Sequence, residues 1–444
     1  MSFLPSLRLL QLVFGAALLA ALAGPLPELA PVWLFALAGL LLFALADLAL
    51  SLRAAVPPAV AIPAVVRFAK DRPGVVPVTF ANPGGAAGRV RLALGLPGGF
   101  ADARSEMLVD LPAGATQARI EWACTPARRG RFEGVTAGTE PGSRFGLWQL
   151  RLRQALPGEL RVYPNLFTER KSLAALFLAR GQYGSQVRRT VGRGREFEKL
   201  RDYLPGDGFD EIHWKATAKR GRPVTKVFQA ERTQEIMVVI DISRLSGRPV
   251  EHGGVTVTAL ERYLTAALVL LLAAQRQGDR FGVLAYDDRV RVFLRAGHGA
   301  AHYAACREAL HGLPPGEATP DLAELVRHLR TQLRRRALLF FLTDLGDPVL
   351  AEDFVRHARL LARQHLVFVN QLRAPGVAPL FSGPEVGGTR EIYARLAGHA
   401  RWAEARALAQ KLKPLGVTAT LLEDEMFAAR IVTQYLQVKQ RQAL

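Results

Sequence analysis

Ile236-Met237-Val238-Val239-Ile240-Asp241-Ile242-Ser243-Arg244-Leu245-Ser246 opens as a continuous apolar run and stops at a carboxylate and a hydroxyl. A strand without polar alternation is one covered on both faces. Working outward, similar runs recur at 281–286, 337–342, 366–369 and 417–421. Stretches of helical periodicity separate them, near 256–277, 300–311, 321–334, 351–363 and 390–411, and a last helix begins near Glu425. Strands and helices in alternation predict a doubly wound α/β domain over 235–444, with ligands at the carboxyl ends of its strands.

Two of those strand ends carry carboxylates. Asp241 and Ser243 follow the first strand, Asp344 follows the strand 337–343, and Thr319 lies in a Pro- and Gly-rich loop just before a helix. Together they form a set of hard oxygen ligands suited to Mg²⁺ or Mn²⁺. The same residue types cap turns and helices at strand-to-helix junctions, and the residues alone leave both roles open.

Upstream, residues 54–165 alternate short β-type runs with turn signals such as Asn82-Pro83-Gly84-Gly85 and Pro97-Gly98-Gly99, which predicts an antiparallel β-sandwich. A connecting segment, 166–234, contains Tyr203-Leu204-Pro205-Gly206-Asp207 and His213-Trp214-Lys215. Pro205-Gly206-Asp207 reads as a turn, and Trp214 offers an aromatic body between two polar neighbours, either as a docking surface or as packing between two domains.

Residues 1–53 hold two apolar stretches, 9–23 and 31–52. The second has the length that a bilayer requires, while the first is also compatible with the core of a signal peptide cleaved after Ala21-Leu22-Ala23. A hairpin of two transmembrane helices is favoured, because 25–31 reads as a tight turn. Arg8 before the pair and Arg53, Arg67 and Lys70 after it place both ends in the cytoplasm. Asp47, near the cytoplasmic end, is read as an interfacial residue.

The net charge is +19, and residues 125–232 hold 22 Lys and Arg against 11 Asp and Glu. For a tethered chain, the anionic lipids of the inner leaflet are the nearest acidic surface. No nucleic-acid recognition motif accompanies the charge, so nucleic acid is not expected as a partner. The only cysteines, Cys124 and Cys306, fall in different predicted domains and offer neither a disulfide framework nor a metal cluster.

The strand ending in Asp241 and Ser243, with Thr319 and Asp344, resembles a von Willebrand factor type A domain with its metal ion-dependent adhesion site. Leu245 stands where that site has its second serine. Arg201-Asp202-Tyr203-Leu204-Pro205-Gly206-Asp207 and Ile212-His213-Trp214-Lys215-Ala216-Thr217-Ala218-Lys219 resemble the signature of the family called domain of unknown function 58. Arg129-Gly130-Arg131-Phe132 and Phe145-Gly146-Leu147 are similar to it as well. The resemblance implies a multi-pass inner-membrane protein whose cytoplasmic body works with a MoxR-type AAA+ ATPase in assembling or activating protein complexes at the envelope. A membrane-bound hydrolase using Asp207, His213 and Lys215 is the alternative. A binding module is expected instead, since the chain lacks Gly-x-Ser-x-Gly, His-Glu-x-x-His and a phosphate loop.

Overall fold

The computed structural model describes residues 2–23, 30–54, 59–81, 88–102, 106–112, 114, 116–167, 169, 191–204, 208–209, 212–229, 234–252, 254–382 and 387–441. Gly206 and Asp207 lie outside these residues. Two compact units divide the chain, Met1–Asn165 and Leu166–Leu444.

In the first unit, strand β1 (Ser2–Pro5) leads into helix α1 (Leu7–Ala23) and then α2 (Ala30–Ala54). Within α2, Pro31–Leu52 is the one described helix long and apolar enough to cross a membrane; the apolar part of α1, Leu7–Ala21, is shorter. The sequence predicts two full spans, so the structure supports that expectation for one of them.

The strands that follow are β2 (Ala59–Ala61), β3 (Val65–Ala69), β4 (Gly74–Ala81), β5 (Gly88–Gly95), β6 (Phe100–Asp102) and β7 (Met107–Leu111). After them come β8 (Gln117–Pro126), β9 (Gly130–Phe132), β10 (Thr136–Glu140), β11 (Trp148–Ala155) and β12 (Glu159–Tyr163). They form sheets in the orders β1-β11-β10-β5-β7, β2-β4-β8-β6 and β3-β12-β9. Pairing is antiparallel except between β12 and β3, a parallel pair that turn spacing does not foretell. Alternate residues, among them Val76, Val78, Phe80, Leu92, Trp122 and Leu160, turn inward to make one core.

Strand β1 is the surprise at the N-terminus. Four residues with no readable alternation pair with Trp148–Arg151 along the sheet edge. Beside this edge, the turn 143–147 is pinned to α2 by Asp47, which is completely buried. Asp47 accepts from Ser143 Oγ (2.6 Å), Phe145 N (3.0 Å), Leu147 N (3.3 Å) and Ser51 Oγ (3.3 Å). Gly146 supplies the positive φ of 76° that lets the turn present those amides. Trp148 adds a bond from its indole N–H to the Ala44 carbonyl at 2.7 Å.

The second unit begins with the hairpin β13 (Val191–Asp202) and β14 (Val224–Gln229), with the short helix α3 (Trp214–Arg220) between them. The main sheet is built from β15 (Glu235–Asp241), β18 (Arg280–Tyr286), β19 (Val290–Gly297), β20 (Leu338–Leu342), β21 (Leu366–Leu372) and β22 (Val417–Leu422). The hairpin β16 (Pro249–His252) and β17 (Val255–Thr258) stands outside it. The order is β19-β18-β15-β20-β21-β22, all parallel except the edge strand β19.

Helices cover both faces. On one, α4 (Ala259–Arg276), α5 (Gly299–His311) and α9 (Phe427–Arg441) meet Ile236, Val238 and Ile240. On the other, α6 (Leu322–Gln332), α7 (Pro348–Ala362) and α8 (Thr389–Leu412) meet Met237 and Val239. Alternate residues of one strand thus enter two cores, which is why the run at 236–240 tolerates no polar residue.

Candidate functional site

Strand order determines where the site lies. The chain starts at β15, winds out to β19 on one side, then crosses back to β20 and proceeds the other way. Connections leave the sheet in opposite directions between β15 and β20, and the crevice so formed lies at the carboxyl ends of those two strands. Asp241 ends β15, while Thr343 and Asp344 follow β20.

Asp241 and Ser243 are fully buried. Asp241 Oδ1 accepts the Ser243 amide at 2.8 Å, and Oδ2 accepts the Thr343 hydroxyl at 2.7 Å. Burial pushes the Asp241 carboxyl above its ordinary range, against these hydrogen bonds, and nearby Asp344 adds to the rise. Ser243 Oγ caps the short 3₁₀ turn Arg244–Gly247 by accepting the Leu245 amide at 3.3 Å. Ser246 donates to the Ser243 carbonyl at 2.8 Å, a structural contact that turns its hydroxyl inward.

The loop bearing Thr319 is tied to the same turn. Arg244 N donates to the Ala318 carbonyl at 3.0 Å, and Gly316 N to the Ile242 carbonyl at 2.5 Å. Thr319 itself is exposed. The fold therefore brings the Asp241–Ser243 loop, the Thr319 loop and the end of β20 to one end of the sheet, and Ser243 has the capping bond that residue type alone suggests.

Besides Thr343, three neighbours were not singled out from sequence. Arg248 places Nε 2.8 Å from Asp344 Oδ2 as an ion pair and donates from Nη2 to the Leu372 carbonyl at 2.5 Å. Tyr263 and Tyr286 are buried and complete no well-aligned hydrogen bond among the described residues, although Tyr263 lies beside Arg248 and Tyr286 beside Thr343. Burial, then the negative charge of the aspartates, pushes both phenols well above their usual range. A cavity of about 600 Å³ opens beside this cluster, lined by Arg248, Asp344, Gly346, Gln371, Arg401 and Lys411 among others. The cavity offers anchoring groups of both signs, while the two phenols lie buried behind it.

The signature segment is built differently. Tyr203 N donates to the Pro223 carbonyl at 3.0 Å, and the Tyr203 ring stacks on Phe209 with centroids 6.4 Å apart. His213 is the N-cap of α3: its Nδ1 accepts the Ala216 amide at 3.0 Å, and its backbone N–H donates to the Val224 carbonyl at 2.8 Å. Trp214 is 67% exposed and Lys215 is exposed next to it.

These features define a protein with apolar N-terminal helices, a β-rich unit and an α/β unit whose polar cluster lies at the switch point of its sheet. Residues 199–394 match the family described as protein of unknown function DUF58. Uncharacterized proteins of Mycobacterium tuberculosis and Mycobacterium bovis are 25% identical over 207 residues, 46% of this chain and 62% of theirs. The chain thus spans less than two thirds of the curated relatives it matches. Among solved structures, an uncharacterized membrane spanning protein from Vibrio fischeri is 15% identical, covering 46% of this chain and 98% of its own, with a TM-score of 0.18. WR4, a C. elegans MSP family member, is 8% identical over 24% of this chain and 96% of its own, with a TM-score of 0.16. Structural overlap at that level carries no argument.

Proposed function

We propose that the chain is a membrane-anchored adaptor, a binding module rather than an enzyme, which recognises a partner's carboxylate at the polar end of the six-stranded sheet. The observation that carries this reading is the convergence of the Asp241–Ser243 turn, the Thr319 loop and Asp344 at the switch point between β15 and β20. That placement favours a von Willebrand factor type A-like domain with a partly degenerate metal ion-dependent adhesion site.

A cation fits the donor chemistry in part. Ser243 and Thr319 would hold Mg²⁺ or Mn²⁺ through hydroxyl oxygens, with Asp241 and Asp344 supplying negative charge, and the bound ion would offer a coordination place to a partner's carboxylate. Leu245 contributes no oxygen, and Arg248 already neutralises Asp344, so cation binding in the free protein is weak.

The body is cytoplasmic and the anchor is a retained two-helix hairpin in the inner membrane. Strand β1 supports retention, because it precedes α1 yet completes a sheet edge that cleavage after Ala23 would remove. The partner we favour is a MoxR-type AAA+ ATPase, with anionic inner-leaflet lipids as a second contact and assembly of envelope complexes as the output. Isothermal titration of the full chain with Mg²⁺ and Mn²⁺, alone and with that ATPase, tests the reading. Tighter cation binding in the mixture, lost on Asp241→Ala, is expected; unchanged metal and partner binding in that variant would overturn it.

A further inference from the structure

Asp47 fixes the depth of more than itself. Helix α2 is apolar from Ala30 to Ala46, and at 1.5 Å per residue that stretch is roughly 25 Å long. Helix α1, with 17 residues, has about the same length. A bilayer's hydrocarbon core is about 30 Å thick. With α2 crossing it, no spare helix is left to lift Asp47 clear of the membrane surface, and the carboxylate must lie at the headgroup boundary.

The turn 143–147 is bound to that carboxylate by three donors, Ser143 Oγ, Phe145 N and Leu147 N, and so lies at the same depth. Its side chains suit that place. Phe145 is 48% exposed and packs on Phe43 of α2, with ring centroids 5.2 Å apart. Phe3 of β1, 52% exposed, meets Trp148 edge-on at 5.9 Å. Arg8 and Arg144 are exposed at the same rim, and neither forms an ion pair among the described residues. Aromatic rings with free arginines beside them match the chemistry of the interfacial layer, where a ring meets acyl chains and a guanidinium meets phosphate.

We propose that the β-sandwich is seated in the headgroup layer through a collar of Phe3, Phe43, Phe145, Trp148, Arg8 and Arg144, which binds anionic phospholipid directly. The inference rests on α2 as a membrane span and deepens the lipid contact named above. It makes the sandwich a membrane-bound domain in its own right, held at one depth and one orientation, instead of a body on a free tether.

The full chain, reconstituted in vesicles of phosphatidylcholine and phosphatidylglycerol, carries the test. Cys124 and Cys306 are 2% and 0% exposed, so a fluorophore on an introduced surface cysteine reports its own position. Reporters go to Phe145→Cys, to Leu108→Cys on β7 at the opposite edge of the β1 sheet, and to Leu41→Cys midway along α2. Phe3→Cys replaces Phe145→Cys if the latter disturbs the turn. The expected result is quenching of the 145 reporter by headgroup-labelled lipid, of the 108 reporter by aqueous iodide, and of the 41 reporter only by acyl-chain probes. Labelled phosphatidylglycerol should quench at 145 more than labelled phosphatidylcholine, and the Arg8→Gln/Arg144→Gln double variant should lose that difference. A 145 reporter as open to iodide as the 108 reporter, with 41 still shielded, overturns the collar alone. Equal quenching by the two labelled lipids overturns its anionic preference, whereas iodide access at 41 overturns the span and the collar together.

Discussion

Among the described residues, Asp47 in the first unit and Asp241 in the second have no exposed surface, and these two are treated in opposite ways. Asp47 has four donors, two hydroxyls and two backbone amides, and joins α2 to a turn of the sandwich. Asp241 has one amide and one hydroxyl, with a second carboxylate and two unsatisfied phenols close by. A buried carboxylate met by converging donors is held firmly, while one with fewer donors is costly to keep ionised. The contrast can be broken by mutation, and the expected effects differ in size and in sign.

Asp47→Ala should cost the most. It strands two backbone amides that cannot turn toward water, and at 1–3 kcal/mol for each orphaned donor the loss is about 4 kcal/mol. Urea unfolding of the detergent-solubilised chain, monitored in the sandwich, measures it, and wild-type stability would show that the joint is not structural.

Arg248→Met should cost about 2 kcal/mol, since it leaves Asp344 charged and mostly shielded without its guanidinium. Added Mg²⁺ should return part of that loss in the variant and little in the wild type. A variant indifferent to Mg²⁺ would mean that no cation can take the place of Arg248.

Asp241→Asn should do the reverse of Asp47→Ala and stabilise. Burial raises this carboxyl, so its contribution to stability is full below the unfolded carboxyl range and is lost as pH rises through the higher folded value. The asparagine does not ionise; thermal midpoints of variant and wild type should diverge in the variant's favour as pH rises toward neutrality. Parallel curves would show that Asp241 is as well satisfied as Asp47.

Trp214→Ala should leave stability within about 0.5 kcal/mol of wild type, because the ring is exposed. On the adaptor reading proposed above, its effect should appear in partner capture from detergent-solubilised membranes. A large loss of thermal stability would place the ring in a packed site instead.

Much of the second unit was legible because burial on both faces leaves continuous apolar runs, and 236–240, 281–286 and 366–369 carry that signal openly. The edge strand β19 escaped it: Val290-Arg291-Val292-Phe293-Leu294-Arg295 mixes charged and apolar residues, as a strand paired on one side does. Asp241, Ser243, Thr319 and Asp344 were legible as oxygen donors at loop positions. Arg248, Thr343, Tyr263 and Tyr286 were not, since an arginine in a turn or a tyrosine in an apolar helix has no local mark of the charge it will meet.

Sequence by itself determined the apolar N-terminal stretches, the turn-rich β region, the alternating α/β pattern and the oxygen donors at strand ends. All are local properties, written in periodicity, turn chemistry and residue type. Tertiary structure alone decided that β1 joins the sandwich, that Asp47 is a joint and not an isolated interfacial charge, and that Arg248 supplies positive charge to Asp344. Each of these depends on residues distant in the chain meeting in space, and a buried charge is stabilised or left wanting only by what the fold brings to it.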